Sequence, residues 1–185
     1  MSISKNREYP LFSACGLNCG LCPRYYTDGD SKCPGCGGEN FSKLHCSCSI
    51  LPCIQRKGVE YCYLCDEYPC KKYDKWEKDS FITHQNMMKD FEKAKNIGIK
   101  VYKKELDKKI EILTDLLNNY NDGRRKSFFC LAVNLLELSD INSVMKQIKS
   151  DTKQDNLTIK EKAAIAVMLF EKTAKEKGIV LKLNK

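Results

Sequence analysis

The sequence predicts a small metal-stabilised, irregular cysteine-rich module followed by an all-α domain of four to five helices. Three observations carry that expectation. Eleven of the twelve cysteines lie before residue 73; all five prolines and seven of the ten glycines lie there with them; and the rest of the chain, free of proline, repeats its apolar residues at helical spacing. With 185 residues, 42% of them hydrophobic, the chain can close one core, or a core plus a small appended module, but not two large domains. The boundary suggested by composition divides it into 1–73 and 74–185.

Residues 1–73 show no sustained period of 3.6 or 2.0, and their turn residues are too frequent for long helices or a regular sheet. Some seventy loop-rich residues bury little apolar surface against a backbone entropy cost of roughly 1–2 kcal/mol per residue. Metal is the expected staple.

From residue 74 on, five helices are expected. Phe81, His84, Met88 and Phe91 recur at helical spacing behind Ser80 as N-cap, with Gly98 past the end. Ile99, Tyr102, Leu106, Ile110, Leu113, Leu117 and Tyr120 then trace one apolar face of about six turns. Asp122-Gly123 supplies a turn and cap before Phe128, Leu131, Ala132, Leu135 and Leu136, a stretch apolar on nearly all sides and hence buried. Ser139 caps a helix carrying Ile141, Val144, Met145 and Ile148, and 149–156 reads as a loop. Thr158-Ile-Lys-Glu161 is a capping box opening the last helix, with Ala163, Ala166, Val167, Phe170 and Ala174 on one face and Gly178 as its stop.

The cysteines fall into C-x3-C-x2-C (Cys15, Cys19, Cys22), Cys33-Pro-Gly-Cys36, Cys48-x4-Cys53 and Cys62-Tyr-Leu-Cys65, with Cys70 following. A C-x2-C turn brings two thiolates to one metal and points backbone N–H groups at the sulfurs. Four of the five prolines adjoin a cysteine, as rigid turns around ligands require. The N-terminal stretch, with Lys5, Arg7 and Glu8, lacks the apolar run of an export signal, so the chain is expected in the cytoplasm, where such a framework binds metal rather than forming disulfides. Cys15, Cys19, Cys22, Cys33, Cys36, Cys48, Cys53, Cys62, Cys65 and Cys70 are the ligand candidates for about two Zn2+ per chain. His45 and Cys46 are further candidates, which would raise the count to three sites. In chain order one site draws on Cys15 to Cys36 and another on Cys48 to Cys70, with the partition left open.

The run Cys-Gly-Leu-Asn-Cys-Gly-Leu-Cys-Pro at 15–23, the Cys-Pro-Gly-Cys turn, Cys48 with Pro52-Cys53, and Gly58-Val-Glu-Tyr-Cys-Tyr-Leu-Cys-Asp-Glu-Tyr-Pro-Cys at 58–70 resemble the cysteine-rich bacterial and archaeal family called domain of unknown function 3795. Asp122 to Ala132 resembles the helical extension of its longer members. The resemblance implies zinc binding through the ten cysteines above and no particular reaction; His45 and Cys46 lie outside its pattern.

Three functional classes follow. Cysteine-only coordination without a nearby catalytic base favours structural zinc in a binding module, with an unidentified, protein-like partner. The same ligand set suits an iron–sulfur cluster; C-x3-C-x2-C is the spacing of radical S-adenosylmethionine enzymes, but no alternating strands and helices follow it, and Leu21 stands where those enzymes carry an aromatic. Nucleic-acid binding is suggested by Arg24-Tyr25-Tyr26, Arg56-Lys57, Tyr61, Tyr63, Tyr68, Lys71-Lys72 and Tyr73. Against it, the basic excess is lysine rather than arginine. Eight thiolates on two Zn2+ would also lower the formal net charge from +8 to +4. Cys130 reads as a buried thiol and His84 as the edge of a helical stripe. No serine–histidine–aspartate set, phosphate loop or paired-carboxylate motif is present, and the longest uncharged apolar stretches fall short of the roughly 20 residues that cross a bilayer, so no membrane role is expected.

Overall fold

The computed structural model describes residues 6–45, 47–74, 76–153 and 156–185. Among them the regular structure is entirely helical: α1 (Phe41–Leu44), α2 (Leu51–Lys57), α3 (Met87–Ile97), α4 (Ile99–Asn119), α5 (Lys126–Leu135), α6 (Leu138–Asp151) and α7 (Ile159–Glu176), with short 3-10 turns at Cys19–Leu21, Gly29–Ser31, Cys62–Leu64 and Lys71–Tyr73. Five α-helices follow residue 74, and no strand forms among the described residues. No helix there is long and apolar enough to cross a membrane.

The chain divides into two compact units, one running to Leu106 and taking in Asn184–Lys185, the other Asp107–Leu183. The division by compactness thus lies beyond the change in composition near residue 73. The physical reason is an aromatic core. Phe12 and Tyr61, both buried, need partners that the loop-rich segment does not supply. Phe12 packs its ring 5.4 Å from Tyr61, 5.7 Å from Phe91 of α3 and 4.6 Å from Tyr102 of α4. The helix α3 and the first turns of α4 therefore complete the core of the first unit, in which Leu21, Ile54, Met87, Ala94 and Leu106 are also buried.

A buried polar network joins the same pieces. Asn18, inside C-x3-C-x2-C, donates through Nδ2 to Asp90 Oδ2 of α3 (2.8 Å), and the Tyr102 hydroxyl of α4 donates to Asn18 Oδ1 (2.9 Å). Asn86 also donates to Asp90. Satisfied on all sides, this network fixes the cysteine loop against two helices; leaving one member buried and unpaired would cost about 1–3 kcal/mol.

The helix expected to start behind Ser80 starts instead at Met87, with Asn86 as N-cap. Asp79 is the reason. Its carboxylate accepts from the His84 backbone N–H (2.6 Å), the Gln85 side chain (3.2 Å) and the Asn184 N–H (2.8 Å), which holds 79–86 in turns. Phe81, expected on the apolar stripe, is 62% exposed.

In the second unit α6 packs on α7, and α5 on α7. The α5 stretch is buried through Phe129, Cys130, Ala132 and Val133, as its all-round apolarity predicts. Phe129 meets Phe170 of α7 at 6.2 Å. From α4, Leu113, Leu116 and Tyr120 are buried, and Lys109 Nζ donates to the Leu136 carbonyl past the end of α5 (2.7 Å), satisfying an acceptor that the helix end leaves open. The capping box forms as expected: Glu161 N–H donates to Thr158 Oγ1 and Thr158 N–H to the Glu161 carboxylate.

Three local expectations are corrected. Glu137, not Ser139, is the N-cap of α6, so Ser139 lies in its first turn. That helix runs to Asp151, shortening the loop expected over 149–156. Before α5 the turn is closed mainly by Asn121, whose Oδ1 accepts from Gly123 N and Arg125 N, while Asp122 accepts from Arg124 N and pairs with the Arg125 side chain at 3.7 Å.

Candidate metal centre

The cysteine-bearing turns are built from short backbone links. Cys22 N–H donates to the Cys19 carbonyl (3.1 Å) and Cys65 N–H to the Cys62 carbonyl (2.9 Å), closing the two 3-10 turns. The Cys33-Pro-Gly-Cys36 knuckle hangs on its neighbours: Cys33 N–H donates to Arg24 O and Cys36 N–H to Pro10 O. Gly35 stands at φ +84°, and a Cβ there would lie 2.6 Å from the Pro10 carbonyl oxygen. Only glycine fits that approach.

Two groups of thiols result. Cys53, Cys62, Cys65 and Cys70 line one small recess of about 50 Å3, together with Ile50, Ile54, Tyr68 and Tyr73. Cys62 interacts electrostatically with Cys53, Cys65 and Cys70. The second group is larger. Cys19 interacts with Cys15, Cys22, Cys33 and Cys36, and Cys48 with Cys15 and Cys36. Chain order would join Cys48 to Cys53, but they are separated by the start of α2: Cys48 precedes the helix, where its Sγ accepts from Leu51 N–H (3.5 Å), while Cys53 lies within it and faces the recess.

Burial decides the state of these thiols. It pushes Cys15 up to about 12 and Cys62 up to about 11, with neighbouring thiols adding to the shift. Cys19, Cys22 and Cys36 are raised by burial as well. Without a cation, thiols so placed stay protonated at neutral pH; a bound divalent ion reverses that preference, because its charge deprotonates a coordinating thiol.

Residues 11–75 match the family model described as Protein of unknown function (DUF3795). The cysteine-rich segment is a DUF3795 domain. No curated protein and no solved structure matched the chain. The DUF3795 segment contains both thiol groups, whereas the helices that complete its aromatic core, α3 and the first turns of α4, lie beyond the matched residues.

The donors around the DUF3795 recess suit a soft or borderline metal. Tyr73, whose hydroxyl donates to the Cys15 carbonyl (3.4 Å), also lies against the Cys62 thiol, and Lys57 lies against Cys65 while pairing with Glu67 at 2.6 Å. Such contacts to sulfur are the outer-shell partners a thiolate site uses. Among the described residues, no group of three or more His, Cys, Asp or Glu side chains forms a ready-made metal site, so loading would draw the thiols of each group together. His45 follows α1 as its C-cap, stacks on Phe41 at 4.4 Å and lines an open groove together with Cys48. Cys46 lies outside the described residues. Cys130 is buried in α5 of the second unit.

Asn18, bonded to Asp90, and Arg7, whose N–H donates to the Gly37 carbonyl and whose guanidinium donates to the Phe12 carbonyl, hold the thiol loops without a sequence signal that marks them. Asn18 is visible in the sequence only as a residue between two cysteines. Arg7 carries no motif at all, because its partners are carbonyls of distant turns.

Proposed function

We propose that this chain is a zinc-binding protein in which DUF3795 thiolates hold structural metal, and that the stapled unit serves as a binding module for another protein. The observation that carries the reading is the recess lined by Cys53, Cys62, Cys65 and Cys70. Four thiols complete a tetrahedral set and leave no position for substrate, which is the pattern of structural rather than catalytic zinc. The Glu67 carboxylate at its rim is held by Lys57, so no base is left poised over the sulfurs.

The aromatic residues that could suggest nucleic-acid binding are used in packing. Tyr61 is buried and stacks on Tyr63, and both Tyr63 and Tyr68 meet Phe91 edge-on. That use favours the protein-binding reading over a base-stacking surface.

Elemental analysis of protein purified without added metal tests the proposal. About two zinc ions per chain are expected, and a near-zero content would sink it. The all-sulfur donor set also suits an iron–sulfur cluster; anaerobic purification separates the two, since a brown, broadly absorbing protein would replace zinc with iron in this reading.

A further inference from the structure

The six-thiol group has a cation built against it. Arg7 belongs to the strap that ties the Cys33–Cys36 knuckle down: its N–H donates to the Gly37 carbonyl (2.9 Å). A Cβ on Gly37, which stands at φ +70°, would come within 3.0 Å of Arg7 Cγ. Glycine therefore lets the arginine stem lie flat on the knuckle.

The guanidinium is buried, its side chain 7% exposed. It lies 4.9 Å above the Tyr61 ring. Nη1 donates to Phe12 O at 2.9 Å and, more weakly, to Cys36 O at 3.5 Å; Nη2 reaches Glu60 O at 3.5 Å. The carboxylate nearest it, Glu60 Oε1, stands 3.7 Å away on a half-exposed side chain shared with Lys103. Nε has no hydrogen-bond partner among the described residues. A buried arginine so weakly paired by carboxylate is costly unless negative charge arrives beside it. It lies at Cys36, whose carbonyl Nη1 reaches at 3.5 Å and whose thiol its charge acts on.

Four thiolates around a divalent cation sum to −2 and bring that charge. We propose that Arg7 is the resident counter-charge, at Cys36, of the metal centre that the thiols of Cys15, Cys19, Cys22, Cys33, Cys36 and Cys48 would supply. This rests on the metal-binding reading above and adds to it a positioning residue. The recess of Cys53, Cys62, Cys65 and Cys70 has no such arginine among its lining residues, only the exposed Lys57 and the half-buried Lys72. The two centres are thus distinguished by how their charge is met.

Cobalt titration of the full-length chain against a competing chelator, followed through thiolate-to-metal absorption, tests this. Cys65→Ser identifies the phase that belongs to the four-thiol recess. Arg7→Gln is expected to weaken the other phase by about 10- to 100-fold, as loss of an outer-shell partner does, and to leave the recess unmoved. Arg7→Lys, which keeps the charge but not the fork, should lose less. Glu60→Gln, at an exposed position, leaves Arg7 without its nearest carboxylate and should bind cobalt at least as tightly as wild type.

Unchanged affinity of both phases in Arg7→Gln overturns the assignment. Equal weakening of both does so too, since the effect then travels through the fold. Weaker binding in Glu60→Gln also counts against it, and serves where Arg7→Gln fails to fold. A wild-type chain that takes up no metal removes the metal-binding reading and this inference together, whereas normal loading with no Arg7 effect removes this inference alone.

Discussion

The two units bury different chemistry. The first, running to Leu106, encloses thiols, aromatic rings and a polar network among loops and short turns; the second, Asp107–Leu183, encloses aliphatic side chains and two phenylalanines between helices. Each α-helix satisfies its own backbone hydrogen bonds, so the second unit spends its apolar residues on packing alone. In the first, many backbone groups find partners only in distant segments, as in Arg7 to Gly37, Cys36 to Pro10 and Cys62 to Ala14. Loops of that kind hold when something ties their ends. Here aromatic packing and the Asn18–Asp90–Tyr102 network do part of it, and the thiols stand where metal would do the rest.

If the first unit holds zinc as proposed, removing it should distinguish the two units most sharply. Treating the full-length protein with a strong chelator should open residues 6–73 to limited proteolysis while most of the helical far-UV signal persists. The binding free energy of structural zinc is folding free energy and amounts to about 10 kcal/mol or more per site. Equal protease resistance with and without chelator would erase the contrast.

The reverse perturbation is smaller. Phe129→Ala, at a fully buried ring against Phe170, should destabilise the second unit by about 3–5 kcal/mol and leave the metal content unchanged. Loss of zinc in that variant would mean that the two units do not stand independently.

The smallest effect is a local pH response in the first unit. His84 lies 4.9 Å from the ring of Trp76, the single tryptophan, and burial lowers its pKa below the ordinary value, with the nearby Asp79 carboxylate opposing. A depressed histidine contributes stability that is full above its unfolded pKa of about 6.5 and is lost as pH falls through the folded value. Trp76 emission should therefore be quenched with a midpoint below that of free histidine. A midpoint at or above it would show that burial does not govern this ring.

The helical part was legible because its signals are local. The α4 stripe from Ile99 to Tyr120 needs only a period of 3.6 residues, and the Thr158–Glu161 capping box needs four consecutive residues; both elements form where expected, although Leu116, not the neighbouring Leu117 that was expected, is fully buried there. The start of α3 was not legible, because Asp79 gathers donors from His84, Gln85 and Asn184, and the last of these is at the far end of the chain. Ser139 failed as a cap for a milder reason: Glu137 already stands in the extended conformation that begins the helix.

At the candidate site the same divide holds. Residue type and spacing by themselves determined that thiols would be presented in pairs on tight turns, and the DUF3795 match over residues 11–75 follows from those motifs. They could not determine which pairs meet. Cys48 and Cys53, five residues apart, fall to different thiol groups because a helix begins between them, while Cys62 and Cys70 share a recess. Nor could they show that Phe91 and Tyr102 would complete the aromatic core, or that Arg7 would lie buried against Cys36. Those outcomes depend on contacts between segments far apart in the chain, and a spacing rule is blind to contacts that only tertiary packing creates.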